Sequence, residues 1–386
     1  MYVIKTMKLA RKNQEDRLSG LPVSVIVHIL SFLNTKEALQ TFILSKRWKD
    51  IPKYLPILRL SSLHFKSPHS LENLVSQLLS LCRYDHSSAL HTVDFIESHD
   101  FVEPDILKGI VGHAVSRNVQ TLRISITCDI QQFPSCFFSS QTLTSLDLSV
   151  HHSIQHRLKI VFPSSLNLPS LTRLFLRNFY FYSSDDDGCV EPFSVLNKLD
   201  TLIIEHCRVL TPQILCISST TLVNLNMQGY QYNYKFQLST PSLRNFAFGG
   251  SPNQKLCVSH PYSIKHLHID VTDTRNNVRD DAAFLLSWLH ELDNIESLTV
   301  SSNTLQVLSF APDLFKVNFT SLCHLESLQV EMKPLTHELN SELSSELHNF
   351  IRNSYSKEDT FIPKRVVYFL IQNSLSATVN IIPYDD

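Results

Sequence analysis

The chain has 386 residues, more than one ordinary core needs, so a small module joined to one large or repetitive domain is expected. Its 34 basic and 36 acidic residues give a formal net charge of −2, which argues against nucleic acid or a membrane surface as the main partner. The eight cysteines include no C-x-x-C pair, and neither a signal peptide nor a membrane-spanning run is evident, so reduced, buried thiols in a nuclear or cytoplasmic protein are expected.

The first predicted elements are three short helices within residues 16–60. The first helix is predicted from apolar residues at i, i+3, i+4 and i+7, namely Ile26, Ile29, Leu30 and Leu33. Pro22 suits its first turn, Thr35 is predicted to cap the second helix, and Ser45 to start a third that carries Trp48. So small a block cannot usually bury enough apolar surface to fold alone. Its spare apolar stripe therefore predicts a protein partner.

This block resembles the F-box family, and the resemblance assigns the F-box to residues 14–60. The matching elements are Leu21-Pro22, Ile29-Leu30-x-x-Leu33 and Leu44-Ser45-Lys46-Arg47-Trp48. The chain departs from the pattern at residues 23–25, where plant members often carry acidic residues, and at Asn34, where they often carry proline. The resemblance implies a Skp-type adaptor as partner. The residues it implies, divided between module packing and the adaptor interface, are Leu21, Pro22, Ile29, Leu30, Leu33, Leu44 and Trp48.

Residues 61–117 are predicted to link the F-box to a repeat domain and to contain its N-terminal cap. A helix is indicated by apolar residues at helical spacing, namely Leu71, Leu74, Val75, Leu78 and Leu79. The phrase Leu90-Val93-Phe95 is a candidate for the start of the repeat series.

The phrase L-x-x-L-x-L recurs through residues 118–332. Its central residues stand at positions 122, 146, 174, 202, 225, 246, 267, 298 and 328, and most spacings fall within the range of leucine-rich repeats. Because one layer cannot bury its own leucines, the layers must stack. The predicted fold is therefore α/β: an N-terminal three-helix F-box, then a leucine-rich-repeat solenoid built on a curved parallel sheet, with a C-terminal capping segment. An ordinary parallel α/β domain with leucine-rich strands is the alternative.

Residues 333–386 are predicted to form that C-terminal cap. A helical face is indicated by Leu339, Leu343, Leu347, Phe350 and Ile351, and it is followed by an apolar segment at 366–371 and a final strand at 377–382. This segment, the Pro-Ser-Leu sequences at 169–171 and 241–243, and residues 114–119 resemble the plant F-box/leucine-rich-repeat family with an FBD-like C-terminal cap.

Three groups of residues raise the question of catalysis. Asp185-Asp186-Asp187 offers oxygen ligands for a divalent cation, but a solvated acidic loop explains it better. The histidines His151, His152 and His156 lack further ligands at zinc spacing. Cys207 could be a nucleophile, although its place directly after a repeat strand favours packing. We therefore expect no enzyme activity, no metal site and no cofactor.

The family resemblance implies the substrate-recognition subunit of a Skp-cullin-F-box ubiquitin ligase, reaching a cullin through the adaptor. A non-degradative scaffold or sequestering protein is the alternative, and assistance by a small molecule remains open. The target protein is expected on the concave strand face, at positions between the apolar residues. Those singled out are Asp147, Arg173, Phe175, Arg177, Glu205, Asn226, His268, Asp270 and Gln329.

Overall fold

The computed structural model describes residues 20–41, 54–65, 67–82, 90–97, 104–126, 135–151, 159–163, 166–183, 188–210, 214–229, 235–272, 278–311, 321–334, 362–374 and 376–383. The chain divides into two compact units, Met1–Val119 and Gln120–Asp386. Among the helices of these described ranges, none is both long and apolar enough to cross a membrane.

The first unit combines helices with a short parallel sheet. In chain order its elements are α1 Val23–Leu30, α2 Thr35–Gln40, β1 Ile57–Ser61, α3 Pro68–Cys82, β2 Thr92–Ile96 and α4 Pro104–Ser116. Strands β1 and β2 pair in parallel, with Leu58 opposite Val93 and Leu60 opposite Phe95. All four of these side chains are buried, so the two strands share one apolar layer.

Strand β1 begins inside the range that the sequence assigned to the F-box. The segment reads Leu55-Pro56-Ile57-Leu58-Arg59-Leu60, which is a complete L-x-x-L-x-L phrase, and all three of its leucines are buried. The repeat pattern therefore occurs upstream of residue 118 and also upstream of the Leu90-Val93-Phe95 phrase. The F-box resemblance over the same residues concealed it.

Helix α2 is capped by Asn34 and not, as predicted, by Thr35, so the helix begins one residue earlier. The backbone N–H of Glu37 donates to Asn34 Oδ1 at 2.9 Å, and the backbone N–H of Asn34 donates to Glu37 Oε2 at 3.3 Å. This reciprocal pair is a capping box. The Thr35 hydroxyl instead accepts the backbone N–H of Arg59 at 2.8 Å, which ties α2 to β1. Pro22 likewise precedes α1 as its N-terminal flanking residue and does not lie in its first turn.

The second unit is built on a large parallel sheet. Its strands are β3 Thr121–Ile126, β4 Ser145–Val150, β5 Arg173–Arg177, β6 Tyr180–Phe181, β7 Cys189–Val190, β8 Thr201–Glu205, β9 Arg208–Val209, β10 Ile214–Ser218, β11 Asn224–Gln228, β12 Phe236–Ser239, β13 Asn245–Gly250, β14 His266–Val271, β15 Ser297–Ser301, β16 Ser327–Glu331 and β17 Thr378–Ile382. The large sheet runs β3-β4-β5-β8-β11-β13-β14-β15-β16-β17. Each described copy of the repeat from residue 118 onward supplies one strand, as predicted.

Register keeps the repeat residues in continuous rows. Leu174 lies opposite Leu146 on one side and Leu202 on the other, and Leu225 continues the row to Phe246. These side chains are all buried. Strand order follows chain order without the reversal that a doubly wound sheet requires, so the leucine-rich-repeat fold is confirmed over the ordinary α/β alternative.

The outer side of the second unit carries shorter elements. Strand β10 pairs in parallel with β7 and β12, and β6 pairs with β9. Helices α5 Val278–Glu291 and α6 Ser302–Leu308 follow β14 and β15, and α7 Lys364–Ile371 precedes β17. The predicted final strand at 377–382 is present as β17, and the apolar segment at 366–371 forms α7. The predicted helical face from Leu339 to Ile351 lies outside the described residues.

The cysteines differ from the expectation of reduced, buried thiols. Cys189 and Cys216 form a disulfide, and Cys257 and Cys323 are exposed, whereas Cys207 is buried as expected. Cys189 pairs in register with Ile214, so Cys216, two residues further on, projects from the same face of β10. The two Cα atoms are 6.2 Å apart although 27 residues separate them in sequence. Stacking of the outer strands brings them together, which spacing along the chain does not reveal.

An aromatic cluster anchors α5 to the sheet. Trp288 is fully buried, its ring centroid lies 4.9 Å from that of Phe248 and 6.1 Å from that of Phe236, and both contacts are edge-to-face. Its indole N–H donates to the backbone carbonyl of Gln254 at 2.8 Å. The cluster thus combines apolar packing with satisfaction of a buried polar group.

Replacing Trp288 by phenylalanine should destabilise the second unit by about 2–4 kcal/mol, because the Gln254 carbonyl loses its donor and a small cavity opens. Urea unfolding followed by circular dichroism measures the change. Tyr262→Phe, at an exposed aromatic, is the control and should shift the midpoint little. Equal midpoints for Trp288→Phe and wild type would contradict this role for the indole.

Candidate docking and target-binding surfaces

Helix α1 and the turn after it present an uncovered apolar surface, which we call the α1 patch. It consists of Val23, Val25, Ile29 and Phe32, with exposed fractions of 42%, 40%, 41% and 74%. Val25, Ile29 and Phe32 stand at i, i+4 and i+7, so they share one side of the helix and its exit turn. Neighbouring large apolar side chains on a surface commonly mark a protein contact.

The opposite side of α1 belongs to the interior of the first unit. Ile26 and Leu30 are buried, and Leu30 is only 1% exposed. The predicted stripe of Ile26, Ile29, Leu30 and Leu33 is therefore divided. Ile29 points outward and Leu33 is half-buried. A step of one residue turns a helix by 100°, so Ile29 and Leu30 fall on different sides of the boundary between core and solvent.

The other residues of the predicted adaptor set are less uniform. Leu21 is half-buried and Pro22 is exposed beside the α1 patch, whereas Leu44 and Trp48 lie outside the described residues. The exposed residues Val23, Val25 and Phe32 were not in the predicted set. Val25 and Phe32 share an i, i+4, i+7 spacing with Ile29, one position away from the stripe that was chosen.

Polar contacts attach the two described F-box helices to the first strand. The Arg59 guanidinium donates to the backbone carbonyl of Ser31, at the end of α1. The Lys36 ammonium donates to the backbone carbonyl of His64 and lies 4.9 Å from the Phe65 ring centroid. Together with the hydrogen bond from Arg59 to Thr35, these contacts fix α1 and α2 against β1 and the residues that follow it.

The large sheet of the second unit has one face that its apolar rows do not fill, which we call the open face. Residues alternate across each strand, so those between the buried positions point to this face. Its central row, one residue per strand in register, is Arg123, Asp147, Phe175, Ile203, Asn226, Ala247, His268, Thr299, Gln329 and Asn380. The face is thus mixed in polarity, with aromatic and aliphatic residues near its middle.

All nine residues predicted to bind the target lie on the open face, and none of them is fully buried. Their role in binding remains a prediction. Sequence reasoning did not select three residues that shape this face, namely Ala247, Gly249 and Lys333. Small residues such as Ala247 and Gly249 give no functional signal in sequence, and Lys333 lies just beyond the last residue of its strand.

Charges on the open face are largely matched in pairs. Arg177 contacts Glu205 at 2.7 Å, and Arg123 lies 4.0 Å from Asp147. Lys333 contacts Asp270 at 2.6 Å. Exposed pairs of this kind contribute little to stability, but they leave no uniform basic stripe for a phosphate backbone.

A second carboxylate, that of Glu331, also lies near the Lys333 ammonium group. Glu331 Oε2 lies 3.4 Å from Lys333 Nζ and 3.6 Å from His268 Nε2. Burial by itself lowers the pKa of Lys333, but the hydrogen bond and charge of Asp270, with help from Glu331, outweigh it and raise the pKa above its ordinary value. Lys333 is therefore a fixed positive charge whose donors are directed at these two carboxylates.

Two cavities open on this face beside strand β13. The larger, of about 400 Å³, is lined by residues that include Ile203, Asn226, Ala247 and His268. The smaller, of about 210 Å³, is lined by His206, Gln228, Ala247, Gly249, His268, Asp270 and Lys333, among others. Ala247 and His268 border both, so the cavities adjoin.

The candidate catalytic groups that fall within the described residues do not assemble into a site. Cys207 is fully buried, accepts the backbone N–H of Phe179 at 3.4 Å, and has its pKa raised by burial to about 12. His151 follows β4 and contacts Ser125 Oγ at 2.6 Å, whereas His152, His156 and the acidic run at 185–187 lie outside the described residues. Within the described ranges, no group of three histidine, cysteine or acidic side chains is placed to hold a metal ion.

Comparison with known proteins bears on both surfaces. Residues 18–60 match the F-box domain model. An F-box/LRR-repeat protein of Arabidopsis thaliana is 27% identical over 80% of this chain and 67% of its own length. An FBD-associated F-box protein of the same plant is 26% identical over 82% of this chain and 78% of its own length. A third Arabidopsis relative, an F-box/FBD/LRR-repeat protein, is 26% identical over 77% of this chain and 67% of its own length.

The chain contains an F-box domain and is similar to plant F-box/LRR-repeat and F-box/FBD proteins over about four fifths of its length. Its α1 patch lies within the residues that match the F-box domain, a domain that generally binds Skp-type adaptors. F-box/LRR proteins are generally non-catalytic adaptors, and the open face belongs to the repeat part of this F-box protein.

The burial of Cys207 predicts a thiol that does not react in the folded protein. With its pKa raised to about 12, it stays protonated at pH 8, and iodoacetamide reacts with the thiolate. Peptide mapping by mass spectrometry should find Cys257 and Cys323 alkylated under native conditions and Cys207 alkylated only after guanidinium unfolding. Native labelling of Cys207 as fast as that of Cys257 would revive it as a nucleophile.

Proposed function

We propose that this F-box protein is the substrate-recognition subunit of a Skp-cullin-F-box ubiquitin ligase. The α1 patch docks on a Skp-type adaptor, and the open face holds a target protein. In this proposal residues 14–60 form the docking module, 118–332 supply the target face, and 333–386 cap it. The observation that carries the proposal is an uncovered apolar patch within the residues that match the F-box domain.

The energetics of the α1 patch favour a partner. Full burial of a valine, isoleucine or phenylalanine side chain contributes about 1.5–3 kcal/mol, so completing the burial of these four side chains contributes several kcal/mol in total. In water that apolar surface stays hydrated, and it adds nothing to the stability of the first unit. An adaptor surface that covers the patch recovers this energy. Leu30, being buried already, supports the patch from below.

The open face suits a protein target. Its paired charges, amides and central Phe175 and Ile203 are the mixture found at protein interfaces, where aromatic and apolar groups lie within a polar rim. The ubiquitin-transferring chemistry is then supplied by other subunits. This chain acts by proximity, because a target held beside the reactive thioester meets it at high effective concentration. Such a subunit works in the nucleus or the cytoplasm.

The adaptor assignment predicts that Ile29→Asp weakens binding of a recombinant plant Skp-type adaptor by roughly 30-fold or more, because the partner would bury an unpaired carboxylate. Isothermal titration with the full chain measures this. The matched control is Ile96→Asp, at a β2 isoleucine of the same unit with 42% exposure against 41% for Ile29. It should leave affinity nearly unchanged.

Three outcomes would count against the docking surface: no binding by folded wild type, equal weakening by both variants, or no weakening by Ile29→Asp. Circular dichroism of each variant comes first, so that loss of folding is not mistaken for loss of the interface. Leu30→Asp is unsuitable as the main variant, because its carboxylate would enter the interior and unfold the module.

Degradation is tested separately, by quantitative proteomics of plant cells that express the wild-type chain or Ile29→Asp. A target should fall in abundance with the wild type, recover under a proteasome inhibitor, and remain high with Ile29→Asp, which still binds it but lacks the adaptor. Unchanged abundance of every bound protein would favour the non-degradative scaffold.

A further inference from the structure

The centre of the open face contains a recess, which we call the β13 notch. It exists because β13 places Ala247 and Gly249 on this face where both neighbouring strands carry longer polar residues. In register, Asn226 and His268 flank Ala247, and Gln228 and Asp270 flank Gly249. Strands lie about 4.8 Å apart, so these flanking positions are separated by roughly 10 Å across a nearly empty strand.

Backbone geometry does not require the glycine of the notch. The backbone of Gly249 adopts no left-handed φ, and an added Cβ would meet Gln228 Cγ at 3.4 Å and the Asp270 carbonyl at 3.8 Å, which are ordinary contacts. Neither the local conformation nor a close approach demands glycine here. The small residues therefore leave room beside the two adjoining cavities of about 400 and 210 Å³.

Polar atoms around the notch lack donors. Asn226 Oδ1 and Asp270 Oδ1 are buried acceptors that find no hydrogen-bond partner within the described part of the chain. A buried polar atom without a partner is unfavourable, and in native proteins such atoms call for a specific explanation. Two acceptors around one recess indicate that its occupant brings hydrogen-bond donors.

The local charge favours a cation. Asp270 and Glu331 share the single ammonium of Lys333, so two carboxylates and one ammonium leave one negative charge when His268 is neutral. Lys333 already directs its donors at these two groups, which leaves Asp270 Oδ1 available. An anionic occupant would have to compete for Lys333, and an apolar one would leave the acceptors unsatisfied.

We propose that the β13 notch is a socket for a basic side chain, arginine or lysine, of the target protein. This inference rests on the proposed function and specifies its target-binding surface. The apolar stem of such a side chain passes Ile203 and Ala247, and its charged end reaches the acceptors of Asn226 and Asp270. Arginine has five N–H donors in a planar fork and lysine three, so both match the shortage of donors.

The test uses the purified full chain and pools of short blocked peptides, random except for one fixed central residue. The centres compared are arginine, lysine, citrulline, glutamate and leucine, and binding is measured by fluorescence anisotropy. Pools centred on arginine or lysine should bind about tenfold more tightly than the others, since hydrogen bonds to charged groups are the stronger kind. Citrulline keeps the shape of arginine without its charge.

Two variants test whether the preference comes from the notch. Ala247→Leu fills the recess without touching its charges, and Asp270→Asn removes the carboxylate, so each should abolish the preference for basic centres. Ser145→Leu places the same leucine on β4 of the same face, and Asp280→Asn removes an exposed carboxylate on α5, outside the open face. These two controls should keep the preference. Thermal unfolding of all four variants confirms that they are folded.

Each remaining outcome overturns the inference. Preference for leucine would mean an apolar socket, and preference for glutamate would mean that Lys333 receives an anion. Equal binding of all pools would show a protein-binding face without this selectivity, and no binding of any pool would also reject the socket. The proposed function is judged independently, by adaptor binding to the α1 patch and by target abundance in cells, so either idea can fail while the other stands.

Discussion

The second unit depends on one constraint, which is that a single leucine-rich layer has no partner for its own apolar side chains. Burial becomes possible only when neighbouring layers stack in register, and the observed rows through Leu146, Leu174 and Leu202 are the result. The same register also fixes which residues lie on the opposite side of the sheet. Because side chains alternate along a strand, each residue between two leucines points to the open face, at a position set by its strand and row. The chemistry of that face can therefore vary from repeat to repeat while the core beneath it stays the same.

The first unit meets a different requirement, since its short helices cannot form an adequate core by themselves. Strand β1 and the residues before it complete the core, because Leu55, Leu58 and Leu60 are buried and the backbone N–H of Arg59 donates to the Thr35 hydroxyl. One side of α1 is thereby committed to the interior and the other is exposed. The two surfaces that we propose as binding sites thus arise in the same way, as the side of an amphipathic element that its own core does not use.

Sequence reasoning recovered what depends on periodicity. The repeat strands of the large sheet and the final strand β17 follow from the spacing of apolar residues, and the F-box follows from its motif; the short strands of the two smaller sheets were not predicted. Features that depend on lateral neighbours were not recoverable: the cystine between Cys189 and Cys216, and the notch at Ala247 and Gly249, require knowing which strands lie side by side. Ile29 and Leu30 were assigned to one apolar stripe because the spacing of apolar residues locates the buried side of a helix only to within about one residue. A shift of one residue is enough to move a side chain from the core to the surface. Asn34 and Thr35 both suit a helix cap; Asn34 takes that role, and the Thr35 hydroxyl accepts the backbone N–H of Arg59.

Each strand of the large sheet pairs with the strand before it in the series, so every new repeat has a ready neighbour to pair with. During synthesis the sheet can grow one strand at a time, with each new repeat added to a template already complete beneath it. The cost is that the growing end is always an open edge. The last strand, β17, still shows it: Val379 and Ile381 remain exposed, although Leu328 and Val330 opposite them are buried. A partly synthesised chain therefore exposes an unpaired strand edge, a surface that favours aggregation, until the next repeat pairs with it.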